Sequence, residues 1–147
     1  MEDKISKLIP IAKSLLGKPY KYGATMADTP NFFDCSLFTQ YIFKQVGVDL
    51  PRSTILQAEA GTEVALENIE PGDLLFLRGT QGFYNKKFPQ GIGHVILYVG
   101  DDKTIHAASE RVRENPNVIE EGIVEENNLD FIIEKCKPLV VIKRIIQ

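Results

Sequence analysis

Apolar residues recur at helical spacing from Lys4 to Leu16, where Ile5, Leu8, Ile9, Ala12, Leu15 and Leu16 share one face. Gly17 and then Pro19 follow in the order that stops a helix. Pro10, in the middle, predicts a kink or a late start, because its ring removes a backbone hydrogen bond. A second helix is predicted from Cys35 to Val46, with Leu37, Phe38, Tyr41, Ile42 and Val46 on one side. Asp34 can cap it by accepting from the free N–H groups of the first turn, and Gly47 closes it. The intervening stretch from Lys18 to Phe33, rich in Gly, Thr, Asp and Pro, reads as a loop. A third helix is expected near Ser53 or Thr54, with Thr54 and Gln57 as a capping box.

The pattern changes at the turn Pro71-Gly72-Asp73. Leu74 to Arg78, Gly93 to Val99, Thr104 to Ala108, Ile119 to Val124 and Leu139 to Ile146 read as strands. Gly79 to Ile92 and Ser109 to Asn117 fit no regular element, and loops of that length in a small domain are often functional. Helices first and strands afterwards describe an α+β domain, with N-terminal helices packed on a mostly antiparallel sheet of five or six strands. No repeat or linker divides the chain, so residues 1–147 read as a single domain.

Composition narrows the function. Hydrophobic residues make up 44% and charged residues 25%, as in ordinary globular proteins. A net charge of −3 argues against nucleic acid, whose binders carry a basic stripe, and gives no reason to expect adhesion to anionic membranes. The start, Met1-Glu2-Asp3-Lys4, has no apolar run of secretory type, so a cytoplasmic location, or export without an N-terminal signal, is expected. Two cysteines, Cys35 and Cys136, are too few for a disulfide scaffold.

Three residues could carry chemistry together. Cys35 falls at the start of a helix, where unsatisfied N–H groups favour a thiolate, although Asp34 beside it works the other way. His94 lies in Gly93-His94-Val95-Ile96-Leu97-Tyr98-Val99, a strand that could face that helix start and hold a base against the sulfur. His106, in Thr104-Ile105-His106-Ala107-Ala108, follows the turn Gly100-Asp101-Asp102, so a hairpin could set it beside His94 as the orienting group. Taken alone, Cys35 fits a small buried core residue equally well, and His94 fits a satisfied core histidine better. Together the three use both histidines of the chain, and two buried imidazoles are a costly way to fill a core. Zinc is the rival use, but the close-spaced ligand pairs of a zinc site are missing, so no metal is expected.

Several motifs in order resemble the NlpC-type cell-wall endopeptidases: Gly17-Lys18-Pro19-Tyr20-Lys21-Tyr22-Gly23, Phe33-Asp34-Cys35-Ser36, Leu50-Pro51-Arg52-Ser53, Pro71-Gly72-Asp73-Leu74-Leu75-Phe76, Gly93-His94-Val95 and Ile105-His106-Ala107. The resemblance implies a papain-like fold, a catalytic set of Cys35, His94 and His106, and no cofactor. It implies hydrolysis of peptidoglycan stem peptides or muropeptide fragments, commonly between D-γ-glutamate and a diamino acid, by way of a Cys thioester. It also implies that Tyr22, with the Cys35 N–H, steadies the oxyanion, and that Asp34 and Ser36 help bind the free amine of the stem peptide. Arg52 matches a motif arginine that a structural ion pair explains equally well. The chain is expected to act as a monomer.

The sequence departs from the family where Gly usually follows the Cys-Ser pair and Leu37 stands instead. Ala24 replaces a second motif glycine, and the segment before His94 is longer, with Phe83, Tyr84 and Phe88 as a possible cleft wall or hydrophobic plug. Leu37 is expected to narrow the groove or shift the helix start. Two alternatives stay open: a thiol amidase or acyltransferase on the same scaffold, and a catalytically silent module that binds peptidoglycan fragments.

Overall fold

The structure, a computed structural model that describes residues 3–78, 83–113, 115–136 and 138–147, follows the hydrophobic pattern closely in its first half. Helix α1 spans Lys4–Ser14, and Asp3 caps it by accepting from the N–H groups of Ile5 and Ser6. Pro10 lies inside α1, which therefore starts early rather than late. The carbonyl that Pro10 leaves unpaired is that of Ser6, in the exposed first turn, where water can serve it. Helix α2 spans Cys35–Gln45, and Asp34 Oδ1 accepts from the Leu37 N–H at 2.8 Å, the cap the sequence predicts. Gly47 follows at a φ of +81°, a conformation that favours glycine.

Helix α3, Thr54–Gln57, is a single turn, and the expected capping box is replaced by Ser53, which accepts from the Leu56 N–H. Gln57 has been drawn inward instead. Its fully buried amide donates to the Ser36 and Pro51 carbonyls and accepts from the Thr39 hydroxyl. That network ties α3 to the first turn of α2.

Strands β1 (Thr62–Glu63), β2 (Leu74–Leu77), β3 (His94–Gly100), β4 (Lys103–Arg113), β5 (Ile119–Asn128) and β6 (Leu139–Arg144) form one sheet in the order β1-β6-β2-β3-β4-β5. Every neighbouring pair is antiparallel. Leu74, Phe76, Val95, Leu97, Ile105 and Ala107 pack in one core with Leu8 and Ala12 of α1 and Leu37, Phe38 and Ile42 of α2. Leu75, Leu77, Ile96, Tyr98 and Ile142 form a second core with Leu129 and Ile132 of a fourth helix, α4, Leu129–Lys135. Helices thus cover both faces, which explains why Leu74-Leu75-Phe76-Leu77 shows no polar alternation.

The structure corrects the second half of the chain in three places. Helix α4 was not expected. Ser109 to Asn117, read as irregular, instead continues β4 as far as Arg113, paired with Ile119 of β5. Strand β5 runs on past Val124 to Asn128. These extensions are held by ladder hydrogen bonds between largely exposed residues, so they leave little trace in a hydrophobic pattern. Of the segment Gly79 to Ile92, residues 79–82 lie outside the described residues. Phe83 and Ile92 close the remainder through reciprocal backbone hydrogen bonds of 2.9 and 2.8 Å.

Candidate active site

Cys35, the first residue of α2, is 8% exposed. Its Sγ lies 3.7 Å from the Thr54 hydroxyl and 4.0 Å from the Gly93 carbonyl, and the backbone N–H groups of Val95 and Ser36 also point to it. Gly93 and Val95 are the two residues flanking His94. This meeting is possible because β3 and β4 part there. They pair from Gly100–Lys103 back to Leu97–Ile105, after which β4 stays with β5 alone. The thiol thus meets the backbone on both sides of His94. Among the described residues no hydrogen bond joins it to either imidazole.

Burial, and then the charge of Asp34, push the Cys35 thiol up to about 11. The Thr54 hydroxyl and the two N–H groups pull the other way without winning. Cys35 therefore rests as a neutral thiol at pH 7, and the helix N-terminus alone does not ionise it.

The structure joins the two histidines directly. His94 Nε2 lies 2.7 Å from His106 Nδ1, with the rings 75° apart. Burial, and then the neighbouring His106, hold His94 down to about 3, so it is a neutral imidazole. Burial lowers His106 as well, opposed by Asn127 and Glu125. His106 Nε2 lies 2.9 Å from Asn127 Oδ1 and 3.9 Å from Glu125 Oε2. The register places Glu125 opposite His106 and Asn127 opposite Thr104, on the same face of the sheet. Sequence reasoning missed both residues. The polar run Glu125-Glu126-Asn127-Asn128 was visible, but its pairing with the His106 strand was not.

Asp34, Ser36 and Arg52 form a second cluster beside the thiol. The Arg52 guanidinium donates to Asp34 Oδ2 at 2.7 Å, to Ser36 Oγ at 2.7 Å and to the Ala24 carbonyl at 2.6 Å. Arg52 is thus a clamp between the loop before α2 and its first turn, as the ion-pair alternative required. Leu37 is wholly buried in the core and does not narrow the groove. Tyr22 is 51% exposed, and Tyr20 is half-buried and influenced by Cys35. Burial, then Cys35, raise the Tyr20 phenol above its usual range, while a hydrogen bond with Ser109 opposes them. In the segment before His94 the three aromatics divide. Phe88 plugs the core, while Phe83 and Tyr84 stay exposed. The segment is tied to Glu59, just beyond α3, by Asn85 Nδ2 at 2.9 Å and Lys87 Nζ at 3.4 Å.

An antiparallel sheet, a helix that begins with cysteine, and paired histidines on strands beside it define an α+β domain of papain-like fold. The chain belongs to the NlpC/P60 family, whose profile matches residues 17–130. It is 38% identical over 102 residues to a Listeria grayi protein described as a probable endopeptidase p60, a match covering 69% of this chain and 18% of that protein. It is 37% identical over 107 residues to a gamma-DL-glutamyl hydrolase of Bacillus subtilis, covering 71% and 24% respectively. The matched region is thus a quarter or less of each of these longer relatives. Among solved structures, an NlpC/P60 family protein from Bacillus cereus aligns over 97% of this chain and 40% of its own, with a TM-score of 0.72 and 30% identity. The peptidoglycan hydrolase RipB from Mycobacterium tuberculosis aligns over 98% of this chain and 65% of its own, with a TM-score of 0.69 and 26% identity.

Proposed function

We propose that this domain is a cysteine peptidase that hydrolyses peptidoglycan stem peptides at the D-γ-glutamyl–diamino acid bond. The observation that carries the reading is the 2.7 Å His94–His106 contact beside the thiol at the start of α2. The relatives described as an endopeptidase and a gamma-glutamyl hydrolase supply the substrate class.

With Nε2 engaged by His106, Nδ1 is the ring nitrogen that His94 has left for Cys35. Both groups rest neutral, so the proton moves during attack rather than before it. Sγ bonds to the amide carbonyl carbon as its proton passes to His94. The tetrahedral oxyanion then collapses, the C–N bond breaks, and His94 returns the proton to the leaving amine. Water attacks the thioester with His94 as base, the C–S bond breaks, and the thiol is restored. His106 orients His94 and stabilises the imidazolium that forms.

The Cys35 N–H and a tyrosine hydroxyl serve the oxyanion. The resemblance assigns this hydroxyl to Tyr22, and Tyr20, whose phenol is influenced by Cys35, is a rival candidate. The Asp34 carboxylate, already shared between the helix cap and Arg52, meets the free amine of the substrate together with Ser36. Small soluble fragments are the preferred substrate, cleaved by a monomer in the cytoplasm or after export.

Wild type and Cys35→Ala incubated with soluble muropeptides and read by mass spectrometry test this. A D-γ-glutamyl cut by wild type alone is the expected result, and equal cleavage by the variant removes Cys35 as nucleophile. The raised thiol favours one competing reading, a silent binding module. That reading predicts fragment binding by calorimetry with no product from wild type.

A further inference from the structure

The proton shared between His94 Nε2 and His106 Nδ1 can sit on either ring, and only one arrangement makes His94 a base. If His106 Nδ1 carries it, His94 Nε2 is the acceptor, and a neutral His94 must carry N–H on Nδ1. Such a ring has no lone pair on that nitrogen for the thiol proton. If His94 Nε2 carries it, Nδ1 is bare.

The far side of His106 makes the choice. Its Nε2 faces Asn127 Oδ1 at 2.9 Å and the Glu125 carboxylate at 3.9 Å, and both are acceptors. Nε2 must then hold a proton, which leaves Nδ1 of a neutral His106 as the acceptor for His94. An amide can instead turn its NH₂ toward His106 and donate to a bare Nε2, but a carboxylate has no donor to offer, so Glu125 opposes that reversal. Asn127 is itself held in place, because its backbone carbonyl accepts from the buried Thr104 hydroxyl at 3.0 Å.

We propose that Asn127, backed by Glu125, is the positioning residue that sets the tautomer of both imidazoles, so that His94 presents a bare Nδ1 to Cys35. The proposal rests on the assignment of Cys35 and His94 as nucleophile and base. Being uncharged, the Asn127 amide directs the relay without fixing a positive charge on His106 and withdrawing the proton that must move.

Two-bond ¹H–¹⁵N correlation spectra of the full chain at pH 7, with ¹⁵N-labelled histidine, read the tautomers without substrate. Both rings are expected as Nε2–H forms in wild type. Asn127→Leu removes the acceptor and should give mixed tautomers, with kcat on muropeptides down at least about tenfold and KM little changed. Asn127→Asp keeps an acceptor oxygen and should restore the Nε2–H forms, with kcat held below wild type by the negative charge it places behind His106. A wild-type spectrum with His94 as Nδ1–H overturns the proposal, and so does an Asn127→Leu spectrum identical to wild type. The wild-type spectrum suffices even where the leucine variant does not fold. If no muropeptide is cleaved while the tautomers come out as expected, the proposed function fails and the relay stands.

Discussion

At the turn into β2 the carboxylate of Asp73 is 1% exposed and meets Arg144 of β6 in two hydrogen bonds of 2.9 Å, while also accepting from the Glu70 N–H. At the other end of the neighbouring strand, His94 and His106 are also withdrawn from water, yet they face one another as two neutral rings. Both clusters satisfy their polar atoms, by opposite means. The carboxylate–guanidinium pair keeps its protons in place and clips β2 and β6 to the turn that precedes them. The imidazole pair, and the thiol near it, have been pushed toward their uncharged forms, so protons can still move among them. The compensated buried charge suits a structural clip, and the cluster of buried neutral titratable groups suits the chemistry proposed for it.

Variants can break that contrast at either end. The largest effect is expected from His94→Asn, which should lower kcat on muropeptides about a thousandfold while the urea midpoint stays at or above that of wild type. Asp73→Asn should do the reverse. It removes the buried charge that Arg144 meets, while the partly exposed guanidinium keeps Glu70 and the Asn68 carbonyl, costing about 2 kcal/mol in urea denaturation, with kcat at 25 °C unchanged in the folded fraction. A large loss of kcat in Asp73→Asn would erase the distinction between the clusters.

A smaller effect is expected from pH. Unfolded histidine takes up a proton below its usual 6.5, whereas His94 in the folded chain resists until about 3. The unfolded state therefore binds more protons in that interval, and stability should fall as pH drops from 6.5 toward 3. On the alkaline side Cys35 keeps its proton to about 11, while an unfolded thiol loses its own near 9, so stability should fall again between those values. Thermal unfolding across pH, with His94→Asn and Cys35→Ala as references, should show each reference variant flattening its own limb.

The smallest effect concerns the thiol alone. Asp34→Asn removes the charge that disfavours the thiolate while keeping a side chain able to cap α2. Iodoacetamide should then modify Cys35 about threefold faster at pH 8, equivalent to half a pKa unit. An unchanged rate would mean that burial alone sets the thiol.

The two halves of the chain were not equally legible. Helices α1 and α2, the Asp34 cap and the strands around His94 and His106 announced themselves through apolar spacing and stop signals, which are local properties. Helix α4 left a clue that was not followed. The uninterrupted Leu74-Leu75-Phe76-Leu77 needs cover on both faces, and a second covering layer could have been sought after Val124. The extended β4–β5 hairpin left none, because backbone ladders between polar, exposed residues carry little sequence preference. Gln57 misled for the opposite reason: its spacing suited a cap, but a buried partner set was waiting in Ser36, Thr39 and Pro51.

The candidate site divides along the same line. Cys35, His94 and His106 could be picked out from the sequence because rare residue types at the start of a helix and inside apolar strands need a reason to be there. Their order along the chain also carried the family resemblance. What the linear chain could not specify was which nitrogen meets which partner. The 2.7 Å imidazole contact, the parting of β3 from β4 that lets the thiol reach the backbone beside His94, and the arrival of Asn127 and Glu125 behind His106 all depend on strand register. So does the burial that turns two ordinary titratable side chains into a neutral thiol and a neutral imidazole. Residue identity and local spacing determined the chemical types available. Long-range backbone pairing, which brings Glu125 and Asn127 to His106 across some twenty residues of chain, decided how their protons are arranged.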